Sequence, residues 1–135
     1  MKNLNNNIRA TIVLMLLSAC RIDAEVHVQV INRLENGLRM NVHCRSRDDD
    51  LGFHVLGVEE AIEWSFNLNF LKTTLFYCDV QWEASRRYRF DAYDAGKDRK
   101  RCRSKCRWMV AKDRSLYGYS EESGFWQQFP LIEVK

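Results

Sequence analysis

Three cysteines ride the apolar phase of three separate alternating segments, and this limits the fold more than any other feature of the chain. Leu38, Met40, Val42 and Cys44 alternate with Arg39, Asn41, His43 and Arg45. Thr74, Phe76, Cys78, Val80 and Trp82 alternate with Leu75, Tyr77, Asp79 and Gln81. Cys106, Trp108 and Val110 alternate with Arg107 and Met109. Successive side chains on a strand point to opposite faces, so each segment reads as a strand with one dry and one wet face. A cysteine in the dry phase belongs to the core, where it is placed to staple one strand to another.

Further segments repeat the pattern. Val26, Val28 and Val30 alternate with polar neighbours, and Glu35-Asn36-Gly37 follows. Asn-Gly is a strong hairpin signal, so residues 25–34 are expected to pair antiparallel with residues 38–45. Asp48, Asp49 and Asp50 favour a turn, and Gly52 can take a positive φ. Residues 51–56 give a short strand, and residues 58–63 at most a helical turn. Ile62, Trp64, Phe66 and Leu68 share one phase, as do Tyr88, Phe90 and Ala92. A charged loop follows over 94–105, and residues 116–120 give a last short strand. Phe125, Trp126, Phe129 and Leu131 predict a packed tail. Seven or eight short strands with a single proline and almost no helical periodicity predict an all-β fold, a small antiparallel β-sandwich. Trp64, Phe76, Trp82 and Trp108 are expected between its two sheets.

Residues 1–24 read as a secretory signal peptide, leaving residues 25–135 as one domain. Lys2 and Arg9 precede the apolar run Ala10–Leu17, and Ala24 offers a small residue for cleavage. Lys2, Arg9, Arg21 and Asp23 leave with it. Lys plus Arg falls from 21 to 18 and Asp plus Glu from 18 to 17, a formal charge of +1. That balance implies no nucleic-acid partner. The apolar run of the leader is too short to span a bilayer and no second apolar segment follows, so the product is expected to be secreted and extracellular; it is also expected to be a monomer. Cys20 lies in the leader, and Cys44, Cys78, Cys102 and Cys106 remain, an even number suited to two disulfides. Three pairings are open; bridges between strands are favoured, and Cys102–Cys106 is the least favoured.

The order of landmarks resembles a known family. These are Val28, Val30 and Asn32; Leu38 to Cys44; Ser46; and Asp48-Asp49-Asp50-Leu51-Gly52. Further along come Trp64-Ser65-Phe66, Phe76-Tyr77-Cys78, Trp82, Phe90-Asp91-Ala92-Tyr93 and Cys102-x-x-x-Cys106-x-Trp108. Together they are similar to the plant self-incompatibility proteins, the S-protein homologues, over essentially all of residues 25–135. The resemblance implies a small secreted β-sandwich that acts as a ligand rather than an enzyme, with no cofactor. It also implies a membrane receptor protein as partner, since the founding members are secreted in the pistil and recognised by a pollen membrane protein.

The residues themselves show no catalytic constellation. His27, His43 and His54 have no Ser/His/Asp or paired-carboxylate arrangement around them, and surface or structural roles suit them better. Cys102-x-x-x-Cys106 with Cys44 beside His43 has metal-ligand atom types, but an oxidising compartment favours disulfides. Asp48–Asp50 lacks the ligand spacing of a calcium loop and suits a solvated turn. The sharpest surface feature is a basic run. Lys97, Arg99, Lys100, Arg101, Arg103, Lys105 and Arg107 fall within eleven positions with only Asp98 against them. It is read as a recognition loop for an acidic receptor face. The alternatives are a site for a cell-wall or other extracellular polyanion, and a solvated loop with no partner.

Overall fold

The computed structural model describes residues 25–68 and 73–135; the signal peptide expected over 1–24 lies outside the described residues. Ten strands follow one another. They are β1 Glu25–Asn32, β2 Met40–Arg45, β3 Asp50–Leu56, β4 Ala61–Asn67 and β5 Leu75–Trp82, then β6 Tyr88–Asp94, β7 Lys105–Val110, β8 Leu116–Tyr119, β9 Trp126–Phe129 and β10 Ile132–Glu133. They form two five-stranded sheets. Sheet A has the order β4-β1-β7-β8-β9 and sheet B the order β10-β6-β5-β2-β3. The sandwich is as expected, with ten strands rather than seven or eight because the aromatic tail itself adds β9 and β10. One pairing is parallel: β1 runs beside β7, with Val28 opposite Cys106 and Val30 opposite Trp108.

The dry phases of both sheets meet in one core. Val28, Val30, Met40, Val42, Cys44, Cys78, Cys106 and Val110 are fully buried in it. Phe76, Trp82 and Trp108 join them as expected. Trp64 is only half-buried, because β4 is an edge strand and its ring reaches the core from the side, 5.6 Å from the Phe76 ring.

The Asn36-Gly37 turn forms, with φ of 58° and 68°, but it is not a hairpin. It carries the chain from β1 in sheet A to β2 in sheet B. Turn chemistry fixes local φ values and leaves open which sheet the outgoing strand joins. Here Asn32 decides. Its side chain is fully buried and donates to the carbonyls of Leu38 and Leu56 at 2.8 and 2.9 Å, while its Oδ1 accepts from Leu34 N–H. One amide thus ties the end of β1 to the segments that begin β2 and end β3. A buried amide that lost these partners would be costly, so the crossing is firmly held.

Both disulfides form. Cys44 and Cys78 face each other directly across β2 and β5. The second bridge joins Cys102 to Cys106, the least favoured pairing, rather than two strands. Cys106 has Val28 across from it in sheet A, so no cysteine faces it there. A tight turn in which Cys102 N–H bonds to Asp98 O brings Cys102 back to the foot of β7.

Candidate recognition surface

One end of the sandwich gathers three connecting segments. Leu75, which opens β5, faces Asp94, which closes β6, and His27 sits beside Lys105. Residues 46–49, 95–104 and 120–125 therefore leave from the same end. The Asp48–Asp50 turn and the basic run share it, with Phe66, Asn67 and Leu75 beside the acidic turn.

The acidic turn is tightly built. Ser46 N–H bonds to Asp49 O, Asp49 N–H bonds to Ser46 Oγ, and Asp50 Oδ1 accepts from Gly52 N–H at 2.9 Å. Gly52 has φ 80°, which a side chain would strain. Asp50 also holds His43 Nε2 at 2.6 Å. The backbone bond to Gly52 and the His43 contact hold the Asp50 carboxyl below its ordinary value. His43 was expected on a wet face; it is on the outer face of sheet B, but the Phe53 ring covers it at 4.0 Å. It is a structural histidine. Among the described residues, no three His, Cys, Asp or Glu side chains are grouped to hold a metal.

The basic run divides into two populations. Lys97, Arg99, Lys100 and Arg103 are exposed. Arg101 is not: its side chain is 8% exposed. Its Nε donates to Asp98 Oδ1 at 3.0 Å and Nη1 to the Tyr119 carbonyl at 3.0 Å, and the guanidinium lies 4.4 Å from the Trp108 ring centre. Asp98 is buried too, its second oxygen accepting from Asp94 N–H at 2.7 Å. Lys105 and Arg107 belong to β7. Lys105 pairs with Glu63 at 3.8 Å, and Arg107 spreads over the rings of Tyr119 and Trp126 on the outer face of sheet A.

Glu121 completes the frame and escaped the sequence reading. It accepts from the backbone N–H groups of Arg103 and Lys105, and its own N–H bonds to Arg101 O. Nothing in the sequence links it to the run. Asp98 did carry a signal, as the one acid within the run and three residues before Arg101. The segment that looked like a free loop is thus clamped by a disulfide, a buried ion pair and Glu121. Only four of its cations reach solvent freely.

The family described as plant self-incompatibility protein S1 matches residues 27–129. Self-incompatibility protein S1 of Papaver rhoeas is 38% identical over 109 residues, covering 80% of this chain and 78% of the poppy protein. S-protein homolog 24 and S-protein homolog 6 of Arabidopsis thaliana are 41% and 42% identical, over 65% and 64% of this chain. The aligned stretch spans only 57% and 62% of those two proteins. A solved self-incompatibility protein homologue (SPH), described as one of a widespread family of small, highly stable, secreted plant proteins, shares the fold. Its TM-score is 0.57 at 15% identity, with 82% of this chain and 92% of that one covered. The chain belongs to the plant self-incompatibility protein S1 family.

Proposed function

We propose that the protein is a secreted plant recognition ligand that binds a cell-surface receptor and does no chemistry of its own. Residues 1–24 direct its export and are removed. The observation that supports this reading is the end described above. There Lys97, Arg99, Lys100 and Arg103 are exposed on a segment clamped by Cys102–Cys106 and Glu121. A clamped segment loses little entropy when a partner covers it. Its charge speeds encounter with an acidic receptor face and gives the on-rate a salt dependence. Asp48 and Asp49, exposed at the same end, disfavour a uniform polyanion and suit a partner of mixed charge.

The test exchanges Lys97, Arg99, Lys100 and Arg103 for serine and leaves Asp98, Arg101 and both cysteines in place. Folding should survive, because none of the four is buried. Saturable binding to plant membrane fractions should fall and its salt dependence should flatten. Unchanged binding by the folded variant would reject the segment as the contact.

A further inference from the structure

The outer face of sheet B is laid out by its registers. Arg89, Asp79, His43 and Phe53 stand side by side across β6, β5, β2 and β3. Gln81, Asn41 and Val55 form the next row, and Arg87 immediately precedes β6. An open groove of about 530 Å³ runs over them, lined among others by Phe53, Val55, Asn41, Gln81, Arg45 and Arg87. Its volume is that of a small-molecule site.

The two sides of the groove differ in chemistry. On the β3 side Phe53 is 80% and Val55 59% exposed. The Phe53 ring meets His43 and leaves most of its surface to water, so covering it is favourable. On the other side stand two arginines whose charge is not spent. Arg45 and Arg87 keep 33% and 53% of their side-chain surface in water and approach Asp79 only at 3.4 and 3.9 Å. Asp79 is already held through both oxygens by Arg89, at 2.6 and 3.0 Å. The other acids of this face are placed elsewhere. Asp50 is taken by His43 and the Gly52 N–H, and Asp91 lies beyond Arg89 on β6, away from Arg87.

These two sides set the class of ligand. Each guanidinium carries five N–H donors in a fork that fits a carboxylate, and a charged acceptor makes the stronger bond. A cation would be repelled, and a neutral oxygen would forgo the charge. We propose that the groove binds a small aryl carboxylate whose rings cover Phe53 and Val55 while its carboxylate is held by Arg45 and Arg87. β3 and β6 are three strand spacings apart, about 14 Å, a span that a two-ring carboxylate covers together with the reach of the arginines. The site is on the face of sheet B and stands or falls separately from the exposed cations assigned to receptor contact.

The probes are 2-naphthoate, its neutral counterpart 2-naphthamide, and acetate. Each is titrated into the oxidised, folded protein while the backbone amides of β2 and β3 are followed by NMR. Naphthoate should shift the amides of Asn41, Phe53 and Val55 and bind about tenfold more tightly than naphthamide, with acetate far weaker. Arg87→Gln removes one exposed cation and should cut the naphthoate-to-naphthamide ratio about threefold. Phe53→Ser should weaken both naphthyl probes and leave their ratio in place. Exchange of Lys97, Arg99, Lys100 and Arg103 for serine should leave naphthoate binding unchanged. Equal affinities of naphthoate and naphthamide would overturn the proposal, as would acetate binding as well as naphthoate. So would full preference for the anion in Arg87→Gln, or loss of naphthoate binding in the fourfold serine variant. Amide shifts over β2 and β3 that follow protein concentration rather than probe would put a second copy on this face and reject it too. If Phe53→Ser does not fold, the probe ratio and Arg87→Gln still decide.

Discussion

Two aspartates are buried with arginines, and they are held in opposite ways. Asp79 lies mid-strand on the outer face of sheet B and is 6% exposed. Arg89 on β6 grips it with two bonds, Nε to Oδ1 at 2.6 Å and Nη2 to Oδ2 at 3.0 Å. Arg45 and Arg87 lean over it at 3.4 and 3.9 Å. These arginines keep a third to a half of their side-chain surface in water, and Arg45 and Arg89 lie across the Tyr77 ring. Asp98 faces one arginine, and that arginine is as dry as the aspartate. On the strand a buried anion is served by hydrated cations. Under the loop both ions have left water. The first arrangement tolerates loss of a partner, because what remains can be rehydrated; the second does not.

Asp98→Ala should therefore have the largest effect, a loss of about 3–5 kcal/mol, because it strands Arg101 in the core. Urea denaturation reads it, and a loss smaller than that of Asp79→Ala would break the comparison. Removing the Cys102–Cys106 bridge by paired alanine substitution should cost about 2 kcal/mol, since it closes a short loop. If the covalent clip mattered more than the ion pair, the disulfide would be the true anchor of the segment. Asp79→Ala should cost about 1.5 kcal/mol, the low end for hydrogen bonds to a charged group.

The smallest effect is a pH dependence. Burial pushes the Asp79 carboxyl up, but the Arg89 hydrogen bonds and the charges of Arg89, Arg87 and Arg45 outweigh it and hold it below 3.8. The unfolded chain then takes up its proton first as acid is added. The stabilisation from Asp79 is present above about pH 4 and is lost as pH falls through the lower native value. The stability gap between the unaltered protein and Asp79→Asn should narrow over that window. A gap that stays constant down to pH 2 would show that the arginines do not favour the charged form.

Much of the sandwich was legible because strand burial has a period and the residues keep it. Cys44, Cys78 and Cys106 were placed in the core by phase alone, and they are there. Asn36-Gly37 was legible as a turn but not as a crossing between sheets. That choice rests on the three hydrogen bonds of the Asn32 side chain, two donated to Leu38 and Leu56 and one accepted from Leu34. The basic run was legible as charge and illegible as structure. Arg101 and its neighbours are alike in sequence, with no periodicity to mark one of them as inward. What separates them is the space left by Gly118 and the rings of Trp108 and Phe129, which come from three other strands.

The parallel pairing of β1 with β7 has a consequence in time. Sheet B can begin early, because β2, β3 and β5 pair among themselves and Cys44 meets Cys78 before the second half of the domain is needed. Sheet A cannot. β1 is the first strand to emerge, yet its place is between β4 and β7, and His27 waits for Lys105. Until then one edge of a valine-rich strand has no neighbour, the state in which β chains are most prone to pair with the wrong partner. Closing so long a loop for a parallel pairing is intrinsically slow. The vulnerable state of this small protein is therefore the one in which β1 still waits for the strand beyond the basic segment.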